Sequence, residues 1–180
     1  MEPIYIFTSE EEGCSQETIR LKPFRLFTKM LSLCLPEELE PMREEEKDMY
    51  YPYEGRPPVI LTGCTGHLQM TFQLLHTSLN REEILDGARS LYRLMEEEMP
   101  GKVFGNLLLF QEGKMPIAWF TIDLDREEKG RKHVKYVTSL LGRFFLGTVT
   151  YPKEESFKWQ AALKNIFGTF EEGEETEWKT

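Results

Sequence analysis

The sequence predicts a single α+β domain, an antiparallel β-sheet meander flanked by two main helices, and three observations carry that expectation. Residues 103–151 divide into four apolar runs joined by short polar connectors, the pattern of neighbouring antiparallel strands. Two segments, one opening at Asn80 and one at Pro152, place apolar residues at helical spacing. The order of elements lacks the strict βα alternation of a doubly wound parallel fold.

Taken in order, Ile4-Tyr5-Ile6-Phe7 reads as a short strand closed by Thr8-Ser9. Pro23 argues against one helix over 18–35, whereas Phe24 and Leu26, then Leu31, Leu33 and Leu35, alternate on either side of Thr28-Lys29, which predicts two strand pieces. Residues 36–58 form a long acidic, Tyr- and Pro-rich connector with one helical turn expected after Pro36. Between Val59 and Leu75 a strand is expected, because Leu68, Met70, Phe72 and Leu74 alternate with His67, Gln69, Thr71 and Gln73. Asn80 stands at a helix N-cap with Glu83 three residues on, and Ile84, Ala88, Leu91 and Met95 supply the apolar stripe until Pro100-Gly101 stops it. Strands follow at 103–110, 116–124, 133–141 and 144–151, the last pair joined at Gly142-Arg143. The closing helix presents Trp159, Leu163, Ile166 and Phe170 on one side, with Trp159 as its core anchor, and residues 171–180 read as a loose acidic tail.

Composition sets the outer bounds. In 180 residues, 40% hydrophobic and 12% aromatic content supplies the core of one domain over 1–170. The 22 Lys and Arg against 31 Asp and Glu give a net charge of −9, which repels phosphate backbones and anionic membrane surfaces, so neither nucleic acid nor membrane is an expected partner. Cys14, Cys34 and Cys64 are an odd, widely spaced set, read as reduced thiols. The opening Met1-Glu2-Pro3 lacks the features of a secretory signal, and a cytoplasmic location is the expectation. The apolar windows at 104–120 and 140–149 are broken by polar and charged residues before reaching the roughly 20 that a bilayer requires.

Gly63-Cys64-Thr65-Gly66-His67 places a thiol three positions from an imidazole, the parts of a nucleophile and base or of half a zinc site. Neither set is complete, since His76 and His133 are isolated, and the plain alternative is a bend with a buried Cys and a surface His. No Walker or dinucleotide fingerprint and no calcium-loop pattern is present, so no cofactor or metal is expected. Lys129, Arg131, Lys132, His133 and Lys135 form a basic cluster placed on a hairpin tip, either a grip for an acidic partner or ordinary solvated charge. Within the connector, Glu44, Glu45 and Glu46 precede Tyr50, Tyr51 and Tyr53 with Pro52, Pro57 and Pro58. Tyrosine joins an apolar body to a polar tip and suits a recognition surface, while the alternative is a loop that seals itself across the sheet.

The run Leu31-Ser32-Leu33-Cys34-Leu35-Pro36 before a polar loop, the capped helix, the meander, and Thr150-Tyr151-Pro152 with Trp159 and then Ile166-Phe167-Gly168-Thr169-Phe170 resemble the PsbP-like family. That family includes the extrinsic oxygen-evolving protein of photosystem II, bacterial lipoproteins and a factor that releases nucleotide from the GTPase Ran. The resemblance spans most of residues 24–170 and implies an α/β/α sandwich with an accessory or binding role. It transfers no functional residue. The functional expectation is therefore a non-enzymatic protein that recognises a protein partner through Tyr50, Tyr51, Tyr53, Glu44, Glu45 and Glu46. An intracellular immunity-type inhibitor of a basic toxin is one form of that expectation, and a small hydrolase using Cys64 and His67 is the rival.

Overall fold

The computed structural model describes residues 19–125 and 130–173. The expected strand at 4–7, Cys14, Lys129 and residues 174–180 lie outside the described residues. Strands β1 (Leu21–Leu26) and β2 (Leu31–Pro36) form the antiparallel hairpin read from the alternation around Thr28-Lys29. Residue pair Glu40–Pro41 then makes a short β3, followed by helix α1 over Glu44–Tyr50. A hydrogen-bonded turn does follow Pro36, the Leu39 N–H donating to the Pro36 carbonyl at 3.1 Å, and the helix starts later, at Glu44. The chain first pairs β3 with β4 (Val59–Thr62), and the Met42 N–H donates to the Ile60 carbonyl at 2.9 Å.

The single strand expected over 59–75 is two strands, β4 and β5 (Gln69–Ser78), paired antiparallel. The glycines of 63–66 close the hairpin: Gly66 sits at φ +72°, open to glycine without strain, and the Gly63 N–H reaches the Leu68 carbonyl at 2.8 Å. Helix α2 (Ile84–Glu98) follows a 3-10 turn at Arg81–Glu83, where the Glu83 carboxylate accepts from the Asn80 N–H at 3.1 Å. The expected strand at 103–110 is likewise two pieces, β6 (Val103–Phe104) and β7 (Leu108–Phe110), both paired with β8 (Ile117–Asp123). The break falls at Gly105, where any Cβ would strike the Thr121 side chain. Strands β9 (Arg131–Leu140) and β10 (Arg143–Pro152) meet at Leu141-Gly142, both at positive φ, rather than at Gly142-Arg143.

A second 3-10 turn leads into α3 (Ser156–Gly168), whose Trp159, Leu163 and Ile166 are buried together with Phe170, as the stripe requires. The acidic segment after it is not loose at its start. Strand β11 (Glu171–Glu172) pairs with β2, and Glu172 accepts from the Leu141 N–H at 3.1 Å and pairs with Arg81 at 3.0 Å. Pairing with β2, the Gly173 N–H to Met30 carbonyl bond at 2.7 Å and ion pairs from Glu171 to Lys114 and Glu172 to Arg81 hold these two residues.

Among the described residues the larger sheet has eight strands, ordered β3-β4-β5-β10-β9-β8-β6 with β7 also on β8, and the smaller is β1-β2-β11. Val134 and Tyr136 of β9, Phe145, Val149 and Tyr151 of β10, and Met70 and Phe72 of β5 share one face with α3 and the leucines of β2. Tyr136 lies flat across Gly147 on β10, where a Cβ would fall inside its ring. On the opposite face Leu79 and, from α2, Ile84 and Ala88 pack over Ala118 and Val137, and Leu91, Tyr92 and Met95 pack on Phe120, Ile122 and Leu124. The fold is the expected α+β sandwich, with α1 as a third, shorter helix.

Candidate functional site

Helix α2 covers only part of its face. Where it stops, strand register sets a row of polar side chains between the apolar ends Phe120 and Ile60. Phe120 pairs with Lys135, Lys135 with Thr148, Thr148 with Thr71, and Thr71 with Ile60. The next row runs Ile122, His133, Thr150, Gln69, Thr62. Period two then places Arg131, His133 and Lys135 of β9 on one face, opposite the core residues Val134 and Tyr136.

The strip is internally bonded. Lys135 Nζ donates to Thr148 Oγ1 at 2.9 Å, His133 Nδ1 and Thr150 Oγ1 lie 2.7 Å apart, and Tyr51 OH donates to Gln69 Oε1 at 2.9 Å. Thr71, Thr148 and Thr150 are buried, and Lys135 and His133 are partly so. Burial, reinforced by the nearby Lys135 and Arg131 charges, pushes the His133 imidazole down to about 3. Burial alone lowers the Lys135 ammonium to about 8, because no carboxylate faces it among the described residues. Burial, with neighbouring Tyr53 adding to it, raises the Tyr51 phenol to about 12 against the opposing Arg131 charge.

Of the expected basic cluster, Arg131, Lys132, His133 and Lys135 lie within β9, and Lys129 lies outside the described residues. Lys132 turns to the other side of β9, where it and Lys153 reach Asp123 at 3.2 and 2.9 Å, and the Arg131 backbone N–H donates to Asp125 Oδ2 at 3.0 Å. Burial raises the Asp123 carboxyl, but the hydrogen bonds from Lys153 and Lys132 outweigh it and leave the group below its ordinary range. Strand pleating splits the four described members of that cluster between two sites of different chemistry.

The connector borders the strip and divides its three tyrosines. Tyr51 turns in to Gln69, whereas Tyr50 and Tyr53 are 58% and 54% exposed beside Met49 at 71%. Helix α1 is braced by charge pairs: Glu44 with Lys47 at 2.6 Å and with Arg56 at 2.9 Å, Asp48 with Arg56 at 2.7 Å, and Glu46 with Arg43 at 2.8 Å. Of the three glutamates, Glu45 alone has no ion pair among the described residues. Gln73 Nε2 also donates to the Gly55 carbonyl at 3.4 Å, tying the far end of the connector to β5.

Cys64 and His67 are both exposed on the β4–β5 turn, against the expectation of a buried Cys. Gly63 and Gly66 bend the backbone outward there, so position 64 never meets the core. The Cys64 thiol donates to Glu38 Oε2 at 3.6 Å, and among the described residues His67 makes no hydrogen bond. The turn does not assemble a thiol and base pair. Among the described residues no group of three His, Cys, Asp or Glu is placed to hold a metal, and no helix is long and apolar enough to cross a membrane. The sequence signal for the strip is the alternation of His133 and Lys135 with Val134 and Tyr136, and of Thr148 and Thr150 with Val149 and Tyr151.

No protein-family model and no curated protein matches the chain. Solved structures do. The cyanobacterial PsbP of Synechocystis sp. PCC 6803 is similar at a TM-score of 0.56 and 9% identity, over 93% of this chain and 98% of that one. A Bacteroides thetaiotaomicron protein is similar at a TM-score of 0.53 and 14% identity, over 86% of this chain, which spans about half (49%) of that protein. The Saccharomyces cerevisiae Ran-binding protein Mog1p is similar at a TM-score of 0.50 and 9% identity, over 85% and 95%. At such identities the likeness establishes the fold, and the fold is PsbP-like.

Proposed function

We propose that this protein is a non-enzymatic binding protein whose partner, another protein, docks on Met49, Tyr50 and Tyr53. The carrying observation is that three large side chains, all more than half exposed, stand within five residues on a segment that is otherwise pinned. The Arg56 bridge to Glu44 and Asp48 and the Tyr51 bond to Gln69 hold the segment, so little ordering entropy is lost when a partner covers it. Aromatic and Met side chains presented this way are the usual anchors of an interface core. Similarity of fold to a Ran-binding protein supports such a role. The acidic run contributes less than its sequence suggests, because Glu44 and Glu46 already have local cations, which weakens the reading as an inhibitor of a basic toxin.

The test is site-specific photo-crosslinking in the source cell with the probe at Tyr50 and, as control, at exposed Arg89 on α2. A product formed from position 50, not from 89, and lost in Met49→Ser/Tyr53→Ala supports the site. Replacing Tyr50 and Tyr53 by Ala is expected to speed dissociation of that partner by about tenfold or more while leaving the melting temperature nearly unchanged. Unchanged dissociation, or a fall of several degrees in melting temperature, would show that these rings serve the fold alone.

A further inference from the structure

We infer that the polar strip over β9, β10 and β5 is a binding site for a monocarboxylate, with Lys135 as its cation. A partly buried ammonium is ordinarily matched by a carboxylate. Lys135 has three donors, one of which goes to Thr148, and no anionic group faces it among the described residues. Register makes a floor of the row it lies in, Thr148 and Thr71 between Phe120 and Ile60, with Thr150 and Gln69 in the adjacent row. Such a floor can orient an oxyanion without supplying a competing charge.

The charge count selects the ligand. Arg131 lies at the exposed rim with its guanidinium 4.0 Å from Asp125, His133 is neutral at ordinary pH, and Tyr51 is protonated, so Lys135 is the one partly buried cation among the strip's described residues. One carboxylate neutralises it. A phosphate dianion would leave excess negative charge on a chain already at −9. In the tautomer in which Thr150 donates to His133 Nδ1, the imidazole Nε2–H is a further neutral donor. The carboxylate has two possible sources, a free small acid or an Asp or Glu side chain of a docked protein, and the chemistry of the strip is the same for both.

The test is competitive labelling of the native protein with a limiting succinimidyl ester at about pH 8, read by peptide mass spectrometry, with ionic strength held by chloride. The probes are sodium acetate and the α-methylamide of N-acetylglutamate, which carries only its side-chain carboxylate. Acetate at tens of millimolar is expected to slow modification of Lys135 about threefold, as a site half-filled near ~20 mM would, and to leave exposed Lys114 unaffected. Protection by acetate alone identifies a site for small free acids, and protection by both probes identifies a site for a protein side chain. In a thermal melt, acetate should raise the transition of the wild type and not that of Lys135→Met or Thr148→Val. Equal modification of Lys135 with and without both probes, or the same melting shift in Lys135→Met, would overturn the assignment.

Discussion

The Lys135 ammonium sits where burial lowers its pKa from an ordinary 10.5 to about 8, so its charge is held at a cost and removing it is expected to stabilise the fold. The fall of 2.5 from 10.5 to about 8, at about 1.4 kcal/mol each, sets a ceiling of about 3.5 kcal/mol. The side chain is partly exposed, and water screening reduces that ceiling to about 2–3 kcal/mol. Lys135→Met keeps the apolar stem but deprives Thr148 of its donor, a loss of about 1 kcal/mol. The net expectation is a gain of about 1–2 kcal/mol near neutral pH. Its sign against pH follows from linkage: with the folded pKa below the unfolded one, the folded state gives up its proton first. The cost of the charge is full below about 8, shrinks as pH rises toward 10.5, and is gone above it. Urea melts of both proteins from pH 7 to about 10 should therefore show an advantage for Met that is flat at first and then closes, with equal m-values. A variant that is less stable at neutral pH, or an advantage that does not narrow, would mean that Lys135 is well solvated and that the strip is not a desolvated site.

His133, held down to about 3 mainly by burial, contributes in the acid range. Its stability is complete above about 6.5 and is lost as pH falls toward 3, by at most about 1.4 kcal/mol per pH unit, and His133→Gln should flatten that part of the pH profile in denaturant melts. Trp159 is almost fully buried, stacks on Tyr151 with ring centroids 5.7 Å apart, and donates Nε1–H to Glu155 at 2.9 Å. Trp159→Ala should cost about 3–5 kcal/mol, and a loss under about 1 kcal/mol in the same melts would place the α3 stripe outside the core. Gly147→Ala should cost about 3 kcal/mol or more, because the buried Tyr136 ring has no room to retreat, and Tyr136→Leu in the same chain should recover part of that loss. No recovery in the double variant would mean that backbone strain, not the ring, sets the cost.

The sequence by itself determined the strands with unbroken alternation and the α3 stripe, because burial on one face imposes a period that is visible locally. Leu31, Leu33 and Leu35, or Met70 and Phe72, need no knowledge of a partner to be assigned to a core face. Asn80 and Glu83 mark a helix start for the same reason, since a cap is satisfied within three residues. The tertiary structure decided what depends on residues distant in the chain. Lys135 and His133 read as surface charge until register sets Thr148, Thr150, Thr71 and Gln69 beside them and water is displaced from their face. Likewise, nothing local tells Tyr51 from Tyr50 and Tyr53; Gln69, eighteen residues away, gives one hydroxyl a half-buried partner, while the other two side chains stay exposed. Glu44 and Asp48 look free for a partner until Arg56 folds back to pair with both. In each case the deciding quantity is desolvation or charge compensation, which a side chain acquires only from the neighbours that the finished sheet brings to it.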